Sequence, residues 1–263
     1  MLLIKIGGGK DINLKGIISD LAALQEAFLI VHGANALRDQ LAEALGLPRK
    51  TLTSVSGYSS VYSDEAALDL LLMAYAGLKN KRIVELCQQH GINAVGLSGI
   101  DGRVIQGRRN RGIRVRQNGR LRIVRDFSGK PQSVNRELLQ WLLDHGYTPV
   151  LTVPIIDEHQ TAVNSENDDI VVQLHKAFQP RMIIQLIEAP GLLADHHDPR
   201  SWVKHLSPTQ LEGWEARVTG RMKRKLLALR RLFEQGARTV IISDGRGAHP
   251  IKDALKGKGT VIR

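Results

Sequence analysis

The sequence predicts an α/β protein with a mainly parallel central sheet covered by helices on both faces, and three observations carry that prediction. Short aliphatic or β-branched runs alternate with longer segments of helical period. Several of the short runs end directly in glycine-rich or polar turns that open a helix, which is where open α/β sheets bind ligands. With 263 residues and 43% hydrophobic content, the chain can bury a large core, as one big domain or as two lobes.

In order, the strand expected at 2–6 runs into Ile6-Gly7-Gly8-Gly9-Lys10, and a helix follows at 13–25. The strand at 28–31 runs into Val31-His32-Gly33-Ala34-Asn35, which opens a helix at 34–45. Two helices, 65–78 and 81–90, precede a strand at 94–97 that ends in Leu97-Ser98-Gly99-Ile100-Asp101-Gly102. After a basic ribbon come a helix at 136–144, a strand at 148–153 and a helix at 168–177, opened by the polar cluster Asn164-Ser165-Glu166-Asn167-Asp168-Asp169. Phe178-Gln179-Pro180 is the expected seam between lobes 1–178 and 179–263, because proline breaks the preceding helix before the strand at 182–187. A helix at 222–235 and a strand at 239–242, running into Ser243-Asp244-Gly245-Arg246-Gly247, complete the alternation.

The formal net charge is +11, and much of it sits in one place: nine arginines and no acidic residue between Arg103 and Arg125. Asn118-Gly119 is the pair demanded by a two-residue type I′ turn, so 113–125 reads as a hairpin. Pairing across that turn puts Arg114 and Arg116 on one face with Leu121 and Ile123, and Arg120 and Arg122 on the other with Val115 and Val124. Such a ribbon is either a hairpin kept soluble by charge or a docking surface for an acidic partner. With 4% aromatic residues, the chain lacks the stacking platforms of single-strand nucleic-acid binders, which argues against nucleic acid. A lone cysteine, Cys87, excludes internal disulfides and cysteine-based zinc sites. No run of eighteen apolar residues and no signal-like start occurs, so the expectation is a cytoplasmic protein without a membrane segment. The scattered histidines, His32, His249 and the pair His196-His197, match no metal-ligand set.

Neither G-x-x-x-x-G-K-[ST] nor a G-x-G-x-x-G after a strand is present, so a nucleotide must be held differently. Lys5 stands on the first strand two residues before Gly7-Gly8. Glycines there let backbone N–H groups approach a phosphoryl oxygen, and the lysine adds a point charge. In the polar cluster around Asp168, Asn167 or Asp168 could serve as a helix N-cap, but capping alone does not require so many polar groups. Thr219-Gly220-Arg221-Met222-Lys223-Arg224-Lys225 is a cationic helix start, unfavourable against the macrodipole unless an anion sits there, and an anionic ligand is expected.

Taken together, Lys5-x-Gly7-Gly8, Val31-His32-Gly33, Gly96-Leu97-Ser98-Gly99-x-Asp101-Gly102, Asn164-x-x-x-Asp168, Pro190-Gly191-Leu192-Leu193 and Gly220-x-Met222-x-x-Lys225 resemble the amino-acid kinase family. Within it the resemblance is to the N-acetylglutamate kinase branch, nearest the carrier-protein-dependent aminoadipate and glutamate kinases of the LysZ type. It implies a three-layer α/β/α sandwich of the carbamate kinase-like fold. It also implies transfer of the γ-phosphoryl group of ATP, with Mg2+, to a side-chain carboxylate. Lys5 and Lys225 would bracket the moving phosphoryl group and Asp168 would orient them. Gly8, Gly33, Ala34, Val61 and Asn164 would meet the acceptor. Gly7, Gly8, Glu188, Gly191, Met222 and Lys225 would meet ATP. The first lobe would hold the acceptor and dimerise, and the second would hold ATP. Without the extra N-terminal helix of arginine-inhibited hexamers, a homodimer is implied, with 66–78 as one candidate contact.

The chain departs from the family pattern at Ala34-Asn35, where small residues tolerant of positive φ are usual, and at Asn167, where glycine is usual. Ile187-Glu188 stands where a serine with aspartate or asparagine helps seat the nucleotide. At Val61 the pattern has an arginine that grips the acceptor's α-carboxylate. A substrate carried on a small acidic amino-group carrier protein relieves that last loss, with Arg114, Arg116, Arg120 and Arg122 as the docking surface. A free N-acetylglutamate kinase and a non-catalytic paralogue that binds an acidic partner are the alternatives.

Overall fold

In the computed structural model, which describes residues 1–47, 50–117, 119–195, 197–218 and 220–263, the first half of the chain contributes β1 (Leu2–Ile6), α1 (Leu14–Ala22), β2 (Phe28–His32), α2 (Asn35–Ala44), β3 (Thr51–Thr53), β4 (Ser59–Val61), α3 (Glu65–Leu71), α4 (Asn80–Gln89), β5 (Ala94–Ser98), β6 (Ile105–Arg109), β7 (Ile113–Gln117), β8 (Arg120–Val124) and β9 (Gly129–Val134). The second half contributes α5 (Arg136–Asp144), β10 (Thr148–Thr152), β11 (Ile155–Ile156), β12 (Ala162–Val163), α6 (Asn167–Phe178), β13 (Met182–Ile187), β14 (His205–Leu206), α7 (Leu211–Arg217), α8 (Gly220–Glu234), β15 (Val240–Asp244), α9 (Pro250–Leu255) and β16 (Thr260–Ile262).

Eight strands form the central sheet in the order β14-β16-β15-β13-β1-β2-β10-β5, all parallel to their neighbours except the β15–β16 pair. Buried on both faces, its strands read as near-continuous aliphatic runs rather than alternating ones. Leu2, Ile4 and Ile6 of β1 pack with Ile17 and Ile18 of α1, Ile83 and Cys87 of α4, and Ile251 of α9. Leu3, one residue out of phase, joins the opposite layer with Ile170 and Leu174 of α6 and Leu226 and Leu229 of α8. The three-layer expectation holds.

Two differences from the sequence reading have physical causes. The helices expected at 65–78 and 81–90 are one continuous run, because a π-helical stretch, Leu72–Lys79, bridges α3 and α4 without a break. The strands β6, β9, β11 and β12, which build a second sheet, were not expected, since β6 and β9 are rich in glycine, charged and polar residues in place of an aliphatic run and β11 and β12 have two residues each. At the expected seam, α6 ends on Gln179 in the left-handed conformation, φ +47°. The central sheet nevertheless continues across it through β1–β13 pairing.

The basic ribbon is a separate two-stranded hairpin, β7–β8. Its register places Arg114 opposite Ile123, Arg116 opposite Leu121 and Val115 opposite Arg122, as expected. Asn118 lies outside the described residues, while Gly119 has φ +74°. Val115 is buried, bridging to Ser54, whereas Leu121 and Ile123 are 59% and 65% exposed.

Candidate functional site

The strand order reverses direction at β1: successive elements add β2, β10 and β5 on one side and β13, β15 and β16 on the other. The loop after β1 therefore sits in the crevice where open α/β sheets bind ligands. Period-two alternation points Lys5 to the same side as Leu3, into the layer of α6 and α8. From that layer α6 presents Asp168 in its first turn and α8 presents Lys225 in its second. The Nζ atom of Lys5 lies 3.0 Å from Asp168 Oδ1, and that of Lys225 lies 3.5 Å from Oδ2. The three groups, far apart in sequence, share the wall of one cavity of about 190 Å³ with Gly8, Gly33 and Asn164.

The electrostatics follow from this geometry. Burial opposes the charge on Asp168, yet Lys225 and Lys5 outweigh it and hold its carboxyl far below the usual carboxylate range. Burial also opposes the ammonium of Lys5, but the charge of Asp168 prevails and raises its pKa. Lys225 is pushed down to about 8, by burial and then by the neighbouring Lys5. Capping does not explain Asp168: the N-cap of α6 is Glu166, and no side chain caps that helix.

The cationic start of α8 meets protein anions before any ligand. Arg224 pairs with Glu166 at 3.2 Å, Lys225 with Asp168, and Lys223 stacks over the ring of Tyr58. These contacts offset much of the macrodipole cost that the sequence reading assigned to a ligand. Thr219 lies outside the described residues.

Beside the lysines, the glycine loop and α2 make an anion cradle. A Cβ on Gly8 would fall 2.5 Å from the backbone nitrogen of Asn35 and 2.6 Å from that of Ala34. One on Gly33 would fall 2.9 Å from the nitrogen of Gly8. The two loops thus touch only because both residues are glycine. α2 has no side-chain cap, and its Ala36 N–H donates to the Gly8 carbonyl at 2.9 Å, which ties the positive end of the helix to the glycine loop. The departure at Ala34-Asn35 carries no backbone strain: Ala34 has φ −146° and Asn35 is already helical, so neither position needs positive φ.

Behind the cradle, His32 is fully buried and held neutral, its pKa lowered to about 3 by burial. Its Nε2 accepts from Asn80 Nδ2 at 3.1 Å, which leaves Nδ1–H to point at the Gly33 carbonyl at 3.4 Å. Both ring nitrogens of His32 are thus engaged in hydrogen bonds that shape the loop. Gly96 is required by the same arrangement, since its Cβ would lie 1.9 Å from Asn80 Oδ1. The wide π turn leads directly into Asn80 and also carries Tyr75, whose hydroxyl donates to Asn35 Oδ1.

On the β13 side, Glu188 folds over the glycine loop. Its Oε1 accepts from the Asp11 N–H at 2.5 Å, and a Cβ on Gly9 would lie 2.0 Å from its carboxyl carbon. Gly191 packs against Thr260, where a Cβ would lie 2.6 Å from Oγ1, and Met222 is 37% exposed at the start of α8. Neither Gly191 nor Met222 lines the cavity of the two lysines.

Asn164 lines three adjoining cavities of about 110, 190 and 430 Å³. The largest borders the base of the basic hairpin through Ile113 and Asn110, and shares Ser60, Glu166 and Arg224 with the lysine cavity. Arg114, Arg116, Arg120 and Arg122 are exposed and in no ion pair among the described residues. Val61 lines the first two cavities beside Arg38. Sequence reading missed Arg38. The signal was there: Ala34, Arg38 and Ala42 form a buried stripe at helical spacing, with one charge in it. Among the described residues no group of three His, Cys, Asp or Glu could hold a metal, and no helix is long and apolar enough to cross a membrane. His196 lies outside them.

The chain is 39% identical to a [LysW]-aminoadipate kinase of Thermus thermophilus over 269 aligned residues, covering all of both chains. It is 31% identical to an acetylglutamate kinase of Methanopyrus kandleri, again over all of both. Its fold matches that of a Giardia carbamate kinase with a TM-score of 0.67 at 13% identity, over 99% of this chain and 97% of the other. The amino acid kinase family model matches residues 1–244. The chain belongs to the amino acid kinase family.

Proposed function

We propose that this chain transfers the γ-phosphoryl group of ATP to the side-chain carboxylate of an N-blocked acidic amino acid, 2-aminoadipate or glutamate, delivered on a small acidic carrier protein. The observation that carries the reading is the Lys5–Asp168–Lys225 cluster in one cavity with the Gly8–Gly33 cradle. A carboxylate acceptor is already deprotonated, so the reaction needs no general base. That agrees with an Asp168 bound by two lysines and far too acidic to take a proton. What phosphoryl transfer needs is position and charge compensation. Lys5 and Lys225 meet the transferring group and the leaving oxygen, Asp168 holds the two ammoniums apart, and backbone N–H groups at Gly8 and the start of α2 receive phosphoryl oxygens.

ATP fits the residues present, through the two ammoniums and a cradle that any Cβ would fill. Mg2+ would enter with the phosphates, which would supply most of its ligands and share their charge with it, since among the described residues no group of three His, Cys, Asp or Glu could hold a metal. We assign the nucleotide to the β13 side, with Gly7, Gly8, Glu188, Gly191, Met222 and Lys225, in a lobe of residues 179–263. The acceptor falls to the α2 side, with Gly8, Gly33, Ala34, Val61 and Asn164, in a lobe of residues 1–178. That lobe also makes the homodimer, for which the exposed Met73 and Leu78 are the candidate contact. A fully buried single cysteine and the biosynthetic relatives support a cytoplasmic enzyme.

The exposed arginines of the hairpin, in no ion pair among the described residues, and the cavity that adjoins both its base and the reaction cavity support a carrier-borne acceptor. A free N-acetylglutamate kinase is the second reading, favoured by the full-length likeness to an acetylglutamate kinase. The test is an ATP-consumption assay with hydroxylamine trapping of the acyl phosphate, offered carrier-linked and free N-acetylated aminoadipate and glutamate. Preference for a carrier-linked acceptor supports the proposal, preference for free N-acetylglutamate supports the second reading, and no hydroxamate with any of the four refutes both.

A further inference from the structure

We propose that Arg38 recognises the second, non-reacting carboxylate of the acceptor; this rests on the dicarboxylate-kinase reading above. An N-blocked aminoadipate or glutamate brings two carboxylates into the site. One must reach Lys5 and Lys225, and the other would be left in a mostly enclosed space, where an unpaired charge is costly. Of the cations on these walls, Lys5 and Lys225 are bound to Asp168 and Arg224 is bound to Glu166. Lys50 is exposed and touches only the smallest cavity.

Arg38 alone among them lines both the smallest cavity and the reaction cavity. Its side chain is 9% exposed, fixed in the buried stripe of α2. Its Nε and Nη2 donate to a single oxygen, Asp39 Oδ1, at 3.0 and 2.7 Å. Asp39 thus occupies one edge of the guanidinium and orients it. The edge formed by Nη1 and the second Nη2 hydrogen has no partner among the described residues, and it is the fork that matches a carboxylate in bidentate fashion. Val61 lines the same two cavities, so the apolar residue and the guanidinium occupy neighbouring parts of one pocket. In this chain the anion-binding group comes from α2, and the β4 position contributes only a hydrophobic wall.

The test uses N-acetyl-2-aminoadipate and its α-carboxamide, which keeps the reacting carboxylate and loses the other. Wild-type protein should prefer the diacid by roughly 10- to 100-fold in kcat/KM, the range for a charge-assisted hydrogen-bonded pair. In Arg38→Gln the preference should collapse towards one through KM, with the KM for ATP unmoved. Adding Val61→Arg to Arg38→Gln should restore part of it, which a merely structural role for Arg38 would not allow. Titration calorimetry of the same two ligands reads the ratio without turnover. A preference in binding without turnover of either the free or the carrier-linked diacid refutes the kinase reading and keeps Arg38; turnover without a preference does the reverse. An Arg38→Gln protein that melts like wild type and keeps the full preference overturns the proposal.

Discussion

Replacing Asp168 by asparagine keeps the shape of the site and removes the charge that holds it together. The Nζ atoms of Lys5 and Lys225, 3.0 and 3.5 Å from that carboxylate, would face each other with no anion between them. Leaving a buried charge without its partner costs about 3–5 kcal/mol. Part of that cost is relieved by titration. Lys225 already sits at about 8 through burial and the charge of Lys5, and the anion that favours its ammonium would be gone. Its pKa therefore falls further, and at neutral pH the variant carries one ammonium where the wild type carries two. Loss of one preorganised charge-stabilising donor is worth about 2.7–4 kcal/mol, or 10²–10³ in kcat. The pH profile carries the sign. In the wild type the active form of Lys225 is charged, so kcat/KM should decline as pH rises through about 8, and bound triphosphate should shift the limb seen in kcat upward. In Asp168→Asn the limb should move to lower pH. Stability follows the depressed carboxyl pKa: the contribution of Asp168 is fully present above the ordinary carboxyl value of about 4 and is lost as pH falls towards its folded value. Acyl-hydroxamate formation from pH 6 to 9, with melting curves from pH 3 to 8, checks both. An asparagine variant with wild-type kcat and an unmoved alkaline limb would refute the reasoning.

Reversing Arg114, Arg116, Arg120 and Arg122 to glutamate should raise the KM for a carrier-linked acceptor steeply at low salt and far less at 0.5 M salt, while the KM for the free N-acetylated acid stays put. Equal effects on both acceptors would mean that the ribbon matters only for folding. Gly8→Ala puts a methyl group 2.5 Å from a backbone nitrogen of α2, so the loop must shift by about an ångström, and kcat should drop on the order of 100-fold; a fully active variant would show that the cradle is not used. Cys87 is buried, with its thiol pushed up to about 12 by burial, so a disulfide reagent at pH 8 should modify it only at the rate of unfolding. Fast modification of the native protein would contradict the packing of α4.

How much of this could be read without coordinates depended on the kind of signal. Lys5 was legible because a charge inside a buried parallel strand has no solvent-facing explanation, and Asp168 because its cluster exceeds what a helix cap requires. Their convergence with Lys225 was implied by the family resemblance and is geometric in the structure, three elements brought together by one sheet. The hairpin register was legible from Asn118-Gly119 and the side-chain alternation. Arg38 was not found, since an arginine on a surface-type helix ordinarily snorkels to water; its spacing with Ala34 and Ala42 was the available signal, and the packing of α2 against α3 and the π-helical stretch makes it decisive. The short strands of the second sheet were equally hidden. Their places are set by tertiary pairing, such as Ile156 against Gln106, and not by local propensity.

The charge arithmetic of the site ties these observations to function. Lys5 and Lys225 against Asp168 leave one positive charge unbalanced in a mostly buried cluster, and Arg224 against Glu166 adds none. The helix that carries Lys225 also begins with cations at its positive end, which Glu166 and Asp168 only partly offset. Such an arrangement lowers stability unless something negative completes it. A structural core would replace the three groups with aliphatic side chains, as the same layer does close by at Leu3, Ile170 and Leu226. The charged cluster sits where strand order reverses, beside the glycine loop that follows β1. An anion that binds there gains from both lysines at once, and it gains most when its charge is greatest and most spread out, which is the condition of a phosphoryl group in transit.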